Sequence, residues 1–525
     1  MKRTYFICTV QLLTATCLLS QSDPVPLVNQ SVSAASPINA SQTDPKAQAR
    51  ILDSAGTYVY TPSAGTVLNA SSQARSAQST PSNSNYASST GSVTRPANQF
   101  DHIVIVVQEN RTLDNLFGSN PSFEPGVDIA VSGINSHHQH VPLTSVTLSS
   151  CYGPDHSHVG FRKAYDNGAM DGFDNEKINR AKRCKVGPNP QYRYVDNSSG
   201  TVQPYLDLAT QYGFANRMFQ SNQGPSFPAH QFLISGTSAP TAYSTLFAAE
   251  NTDVSIRTGC EAPPGTTVQM VNPNGVYSRM YPCFQHATLI DLLKGASLTW
   301  RYYTAEGSSI WTAPNAIRSL CNAKVVKGQL TCTGSAWANV IPNPAQVLTD
   351  IQNCNLANVA WVTPIGQNSD HPQENTGGGP SWVASIVNAI GNSKCGYWQN
   401  TAILITWDDW GGWYDHVPPY QIGQSNGWGQ SYVYGFRVPL LVVSAYTPAG
   451  YVSNTGHDFG SLLRFAETNF NLGLIGPGFY ADSYADDLME FFPLSSPRGF
   501  TSIPAKYDAN HFIHSREKPR PPDDD

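Results

Sequence analysis

The sequence predicts an α/β fold: a central, mostly parallel β-sheet sandwiched by helices, with loop-rich, disulfide-bearing insertions. Three observations predict it. Short, near-continuous apolar runs alternate with helical patterns across residues 99–500, the rhythm of strands joined by crossover helices. Four of those runs are apolar or β-branched along almost their whole length, as strands buried on both faces are. The residues that follow them are polar, at the sheet edge where open α/β folds bind their ligands.

Taken in order, Lys2 and Arg3 precede an apolar run over residues 5–19, and small or polar residues follow at 20–22. This reads as a signal peptide over residues 1–21, too short and too interrupted for a retained membrane anchor. Residues 22–98 are dominated by Ser, Ala, Thr, Asn, Gln and Pro. Such a low-complexity leader buries too little apolar surface to offset the entropy of ordering and is expected to be disordered, with a short strand at 51–60 as the one candidate element. The folded domain spans 99–500. Its expected strands are 102–108 (HIVIVVQ), 359–363, 402–407 (AILITW) and 438–443 (VPLLVV), and its expected helices 205–212, 288–294, 381–389 and 460–468. Asp458 is placed to cap the last of these. The tail, 501–525, ends in a Pro- and Asp-rich stretch expected to be mobile.

Composition narrows the function classes. The formal net charge of -6, from 37 acidic and 31 basic side chains, is too small to argue for a polyanionic partner, so nucleic-acid binding gains no support. Charged residues make up 13% of the chain, about half the usual share, and uncharged polar residues replace them as in many exported proteins. A secreted or periplasmic location follows from this and from the leader. In that compartment disulfides are the default for the eight cysteines beyond the leader. Local pairs such as Cys151–Cys184, Cys260–Cys283 and Cys321–Cys332 are plausible, but the spacing leaves many connectivities open. No CxxC occurs, which disfavours a thiolate zinc site.

The chemistry collects just after the strands. Glu109 and Asn110 follow HIVIVVQ, Asp408 and Asp409 follow AILITW, Asp370 and His371 lie in the loop after 359–363, and Ser444 follows VPLLVV. Carboxylate and amide oxygens suit a hard or borderline divalent cation. Singly, each has an ordinary explanation: Glu109 as a surface partner of Arg111, Asp408 as a turn cap before Gly411 and Gly412. Together they are costly to bury without a cation. Ser226, held between Pro225 and Pro228 near Gly224, is the candidate nucleophile, since a hydroxyl bound to a cation loses its proton more readily. Among the histidines at 156, 158, 230, 286, 371 and 416, His156, His371 and His416 have the context to hydrogen-bond a phosphoryl group or protonate a leaving alkoxide.

At these residues the sequence resembles the bacterial phosphoesterase family that holds phospholipases C and related acid phosphatases, within the alkaline phosphatase superfamily. The motifs that carry the resemblance are HIVIVVQENRTLDNLFG, DHSHVGFRKAYDNGAMDGF, GPSFPAHQFLISG, SDHP, TWDDWGGWYDHVPP and GFRVPLLVVSAY, in that order. It implies an alkaline phosphatase-like fold and one divalent metal cation (calcium, magnesium, manganese or zinc) bound by Glu109, Asn110, Ser226, Asp408 and Asp409. It also implies His156, His371 and His416 around the phosphate, and a phospho-serine intermediate. The substrate implied is a phosphate ester, with a phospholipid head group and transient membrane-surface contact among the expectations. Two departures stand out: the acidic pair is Asp-Asp where relatives often have Asp-Glu, and the serine turn continues Pro228-Ala229-His230 where Pro-Asn-Arg is common. Trp407, Trp410, Trp413, Tyr414 and Tyr420 could cage a choline-like cation or simply pack. The alternative reading is a catalytically silent secreted binding protein that keeps the fold.

Overall fold

A computed structural model describes residues 99–421, 433–520 and 522. The expected signal peptide, leader and strand at 51–60 lie outside the described residues.

One eight-stranded sheet organises the molecule. In chain order its strands are β1 (His102–Gln108), β2 (Gly213–Ala215), β3 (Trp300–Tyr303), β4 (Val340–Ile341), β5 (Val359–Val362), β6 (Thr401–Trp407), β7 (Leu440–Val443) and β8 (Tyr451–Ser453). Their spatial order is β4-β3-β5-β1-β6-β7-β2-β8. All pairs are parallel except those made by β7, which runs against both β6 and β2. The expected mostly parallel sheet is therefore present. The four strands read from apolar runs are its centre, and in them only His102 is less than buried. Each fully buried Val, Ile or Leu there contributes roughly 1.5–3 kcal/mol.

The reversal of β7 has one consequence for the site. Leu440 at its start pairs with Thr406 near the end of β6, and Val443 at its end pairs with Ile403. Ser444 therefore leaves the sheet at the edge opposite Asp408, where its Oγ meets Thr447 Oγ1 at 3.1 Å. It belongs to a different sheet edge from the other polar strand ends, because an apolar run does not reveal strand direction.

Both faces of the sheet are covered. The principal helices are α1 (Leu113–Phe117), α2 (His158–Tyr165), α3 (Gln203–Gln211), α4 (Ser226–Ser235), α5 (Leu289–Gly295), α6 (Gly379–Gly391), α7 (Phe459–Phe470) and α8 (Ala509–Ile513). Helices α4 and α7 pack together, while α3 and α8 both pack on α6. Asp458 caps α7 as expected, accepting from Ser461 N at 3.2 Å. A three-stranded antiparallel sheet (Phe247–Thr252, Val268–Val271, Tyr277–Met280) and loop-rich insertions lie outside the main sheet. Four disulfides join Cys151–Cys184, Cys260–Cys283, Cys321–Cys332 and Cys354–Cys395.

The packed body runs past residue 500. Ile503 and Phe512 are buried, Phe512 sets its ring against Trp382, and Gln367 Nε2 donates to Lys518 O at 2.7 Å. Up to residue 520 the tail is thus docked rather than free, because Phe512 on α8 supplies an apolar anchor that the Pro- and Asp-rich end does not suggest.

Candidate active site

Register brings the acidic residues together. Gln108 and Trp407 are paired neighbours on β1 and β6, so Glu109 and Asp408 leave the sheet side by side. Asp408 Oδ1 accepts from Asn110 N at 3.2 Å and Asp409 N at 2.8 Å, and Gly411 N donates to Asp409 Oδ1 at 2.8 Å. Asn110 has φ +63° and Asp370 φ +71°, the left-handed region that Asn and Asp tolerate better than most residues.

Ser226 is the first residue of α4, which lays its N-terminus over this edge. Its Oγ lies 3.4 Å from Glu109 Oε2 and 3.3 Å from Asp409 Oδ2, although 117 and 183 positions separate these residues in the chain. A helix N-terminus carries partial positive charge and suits an anion. Glu109, Asn110, Asp408 and Asp409 are fully buried and Ser226 nearly so.

One of the expected histidines borders the cluster and a second lies beside it. His156 Nε2 is 3.1 Å from Asn110 Nδ2 and 3.8 Å from Asp409 Oδ2. His371, whose Nδ1 meets Pro372 O at 2.7 Å, lies with its ring 6.3 Å from that of His156. Asp370, beside it, supports rather than lines the cluster: its carboxylate accepts from Tyr205 Oη at 2.7 Å and Trp407 Nε1 at 3.2 Å.

His416 goes elsewhere. Its Nδ1 is 2.8 Å from Asp114 Oδ2 and its Nε2 3.0 Å from Asp128 Oδ1, so both ring nitrogens are occupied by carboxylates and neither is offered to a phosphate. Burial disfavours its charge, but the bonds to Asp114 and Asp128 outweigh that and push it up to about 10. The expectation that it borders the phosphate is corrected here: the GGWYDH stretch turns it into a structural ion cluster. Arg437, also buried, joins that cluster, donating to Asp415 Oδ1 at 2.8 Å and Asp114 Oδ1 at 3.2 Å.

A third histidine, His230, enters the cluster. It sits one helical turn after Ser226 on α4, so both face the same way. Its Nε2 lies 3.2 Å from Glu109 Oε1 and 3.7 Å from Asp408 Oδ2. The Ser226–His230 spacing of four was the available signal, masked by reading the segment as a turn.

The electrostatics of the two acidic clusters differ. At Asp114 and Asp415 the Arg437 guanidinium supplies the compensating charge. At Glu109, Asp408 and Asp409, among the described residues, no Lys or Arg lies within ion-pair distance, and only His230 and His156 do. Burial, and then the neighbouring Asp408 carboxylate, push Glu109 and Asp409 well above the usual carboxylate range. Burial also holds His230 down to about 4, so it supplies no countercharge at neutral pH. Asn110 Oδ1 and Asp408 Oδ2 are buried without a hydrogen-bond partner. Oxygen donors that repel one another, two of them unpartnered, fit a divalent cation. Glu109, His230 and Asp408 each present an atom within 4.8 Å of the other two, a spacing one metal ion can bridge.

Comparison with known proteins identifies relatives of the chain. The family model described as "Phosphoesterase family" matches residues 100–473. A non-hemolytic phospholipase C of Pseudomonas aeruginosa is 24% identical over 471 residues, which is 80% of this chain and 62% of that protein. Phospholipase C B of Mycobacterium tuberculosis is 23% identical over 457 residues, 78% of this chain and 80% of that one. This chain thus spans about three-fifths of the length of the Pseudomonas relative. A solved structure of a protein in the alkaline phosphatase superfamily from Vibrio parahaemolyticus superposes with a TM-score of 0.32 at 9% identity, over 75% of this chain and 71% of that one. With the match running from two residues before β1 to just beyond α7, the chain belongs to the Phosphoesterase family, whose members are hydrolases acting on phosphate esters.

Proposed function

We propose that this chain is an exported, metal-dependent phosphoesterase that cleaves phosphate esters through a phospho-Ser226 intermediate. The observation that carries the reading is the meeting of the Ser226 hydroxyl with the Glu109 and Asp409 carboxylates at 3.4 and 3.3 Å. Glu109, Asn110, Asp408 and Asp409 would hold one divalent cation beside Ser226. Bound there, it would lower the proton affinity of the serine hydroxyl and offset charge on the phosphoryl oxygens.

In the first half-reaction Ser226 Oγ forms the new O–P bond while its proton leaves along the hydrogen bond to Asp409. The P–O bond to the alcohol breaks, and His156 at the border of the cluster, or His371 beside it, protonates the departing oxygen. The start of α4 stabilises the phosphoryl group as charge builds on it. In the second half-reaction water gives a proton to the same histidine and attacks phosphorus, the O–P bond to Ser226 breaks, Oγ takes back the proton held on Asp409, and phosphate or a phosphorylated head group leaves. Buried Asn110, tied to Asp408 through its backbone N–H and to His156 through its amide, keeps these groups in register.

The substrate favoured is a phospholipid of the kind named in the relatives, with simple phosphomonoesters as the second version of the same chemistry. Four disulfides support an oxidising, extracellular or periplasmic setting, and no helix among the described residues is long and apolar enough to cross a membrane. A silent binding protein is disfavoured, since the full set Glu109, Asn110, Ser226, Asp408 and Asp409 is intact and assembled. Purified Ser226→Ala and Asp408→Asn are each expected to lose at least about a thousandfold in turnover of p-nitrophenyl phosphate or p-nitrophenyl phosphorylcholine, with circular dichroism unchanged. Ser226→Ala retaining most activity would refute the nucleophile, and absence of turnover by wild type with any cation would favour the binding protein.

A further inference from the structure

We infer that His230 is a nitrogen ligand of the cation at this site, which makes the site a mixed nitrogen–oxygen one that selects zinc or another transition-metal ion over calcium or magnesium. The inference rests on the metal reading proposed above and concerns which cation that site takes.

The argument starts from the helix. Ser226 and His230 are four apart on α4, so a helix that presents the serine hydroxyl to the carboxylates must present the imidazole to them as well. The ring is wholly buried and is held at both ends. At one end Nδ1 lies 3.3 Å from Tyr302 Oη. The Tyr302 hydroxyl hydrogen is already used, since Oη donates to Trp311 O at 2.8 Å. Tyr302 Oη is then an acceptor, and Nδ1 is the ring nitrogen that carries the proton.

That assignment leaves Nε2 with a lone pair, aimed at Glu109 Oε1 at 3.2 Å and Asp408 Oδ2 at 3.7 Å. Three electron-pair donors then face one point, and Asp408 Oδ2 has no hydrogen-bond partner. A proton could bridge one pair of these atoms but would leave the third unmatched in a buried site. A cation bridges all three, because bonds of roughly 2.0–2.2 Å to imidazole nitrogen and carboxylate oxygen span such separations. The fixed tautomer is also the arrangement that metal-bound histidines adopt, with the far ring N–H held by an outer acceptor. Imidazole is a softer donor than carboxylate or water, and it favours zinc, iron or nickel over the hard cations that prefer oxygen.

The test uses the full chain stripped of metal with a chelator. Calorimetric titration with Zn²⁺, Mg²⁺ and Ca²⁺ gives the preference, and pulsed electron paramagnetic resonance of the Mn²⁺-loaded protein reports ¹⁴N bound to the metal. Wild type should bind Zn²⁺ at least about a hundredfold more tightly than Mg²⁺ or Ca²⁺ and show ¹⁴N coupling. His230→Gln should lose the coupling and at least about tenfold in Zn²⁺ affinity, with Mg²⁺ and Ca²⁺ affinity changed less than about threefold. The coupling should survive His156→Gln, which keeps the readout usable if His230→Gln does not fold. Mn²⁺ bound without ¹⁴N coupling in wild type, or Zn²⁺ preference unchanged in His230→Gln, overturns the assignment while leaving the metal site standing. Failure of wild type to bind any cation, or binding unaffected by Asp408→Asn, instead sinks the metal reading beneath it.

Discussion

At the scale of single residues, the site is defined by charge without compensation. Glu109 and Asp409 are pushed well above the usual carboxylate range by burial and by Asp408, so a cation bound there would compete with protons for the same oxygens. Metal uptake is therefore expected to release protons, and apparent affinity should rise with pH. Calorimetry in buffers of different ionisation enthalpy measures the release, and equal heats in all buffers would contradict it. His416 offers the opposite case. It rests between Asp114 and Asp128 with both nitrogens donating, which requires the imidazolium, and its value of about 10 exceeds the ordinary 6.5. A raised folded-state value stabilises the fold fully below about 6.5 and loses that contribution as pH climbs through about 10. Comparing denaturant unfolding of wild type and His416→Gln between pH 6 and 10 should show a stability gap that narrows toward alkaline pH. A gap that is constant or widens would remove His416 from its ion cluster.

At the scale of elements, the turn after β6 leaves no room for a side chain at Gly411. Gly411 has φ +62°, and a methyl group there would lie 2.4 Å from Asn110 O and 2.7 Å from Asn110 Cβ. Gly411→Ala should therefore cost on the order of 1–3 kcal/mol and displace Asn110, lowering both the unfolding midpoint and turnover; an unchanged midpoint would show that the turn can relax. The same elements show what the sequence makes legible. Strands β1 and β6 could be read because every position after His102 is buried, so their apolar runs are unbroken, and the polar residues after them had to lie at a sheet edge. The direction of β7 is not legible in VPLLVV, which is apolar whichever way it runs, so the sequence does not tell from which sheet edge Ser444 leaves. Strands β2 (GFA) and β8 (YVS) are too short to carry a pattern. Five of the expected site residues converge because they follow strands or open α4. His416 does not, because closeness to Asp408 in the chain says nothing about which way the GGWYDH turn points, and His230 was passed over because its four-residue spacing from Ser226 matters only once a helix is known.

At the scale of the whole molecule, the proposed reaction centre is a product of long-range folding. No local segment contains it: β1 supplies one carboxylate, the start of α4 the hydroxyl, and the end of β6 the other pair, joined only when the sheet orders β5-β1-β6 and α4 crosses its edge. Three of the four disulfides pair cysteines as the local spacing suggested, whereas Cys354–Cys395 closes the longest loop, of separation 41, and was not among the pairs the spacing brought forward. They brace loops around this frame rather than build the site. The central claim, that Ser226 carries the phosphoryl group at this assembled edge, is tested by acid-quenching the wild-type enzyme during turnover and mapping phosphorylation by mass spectrometry. The account predicts phosphate on the peptide containing Ser226, absent without substrate and absent in Ser226→Ala. Steady turnover with no phosphate on that peptide, in an enzyme whose Ser226→Ala variant remains active, would contradict it.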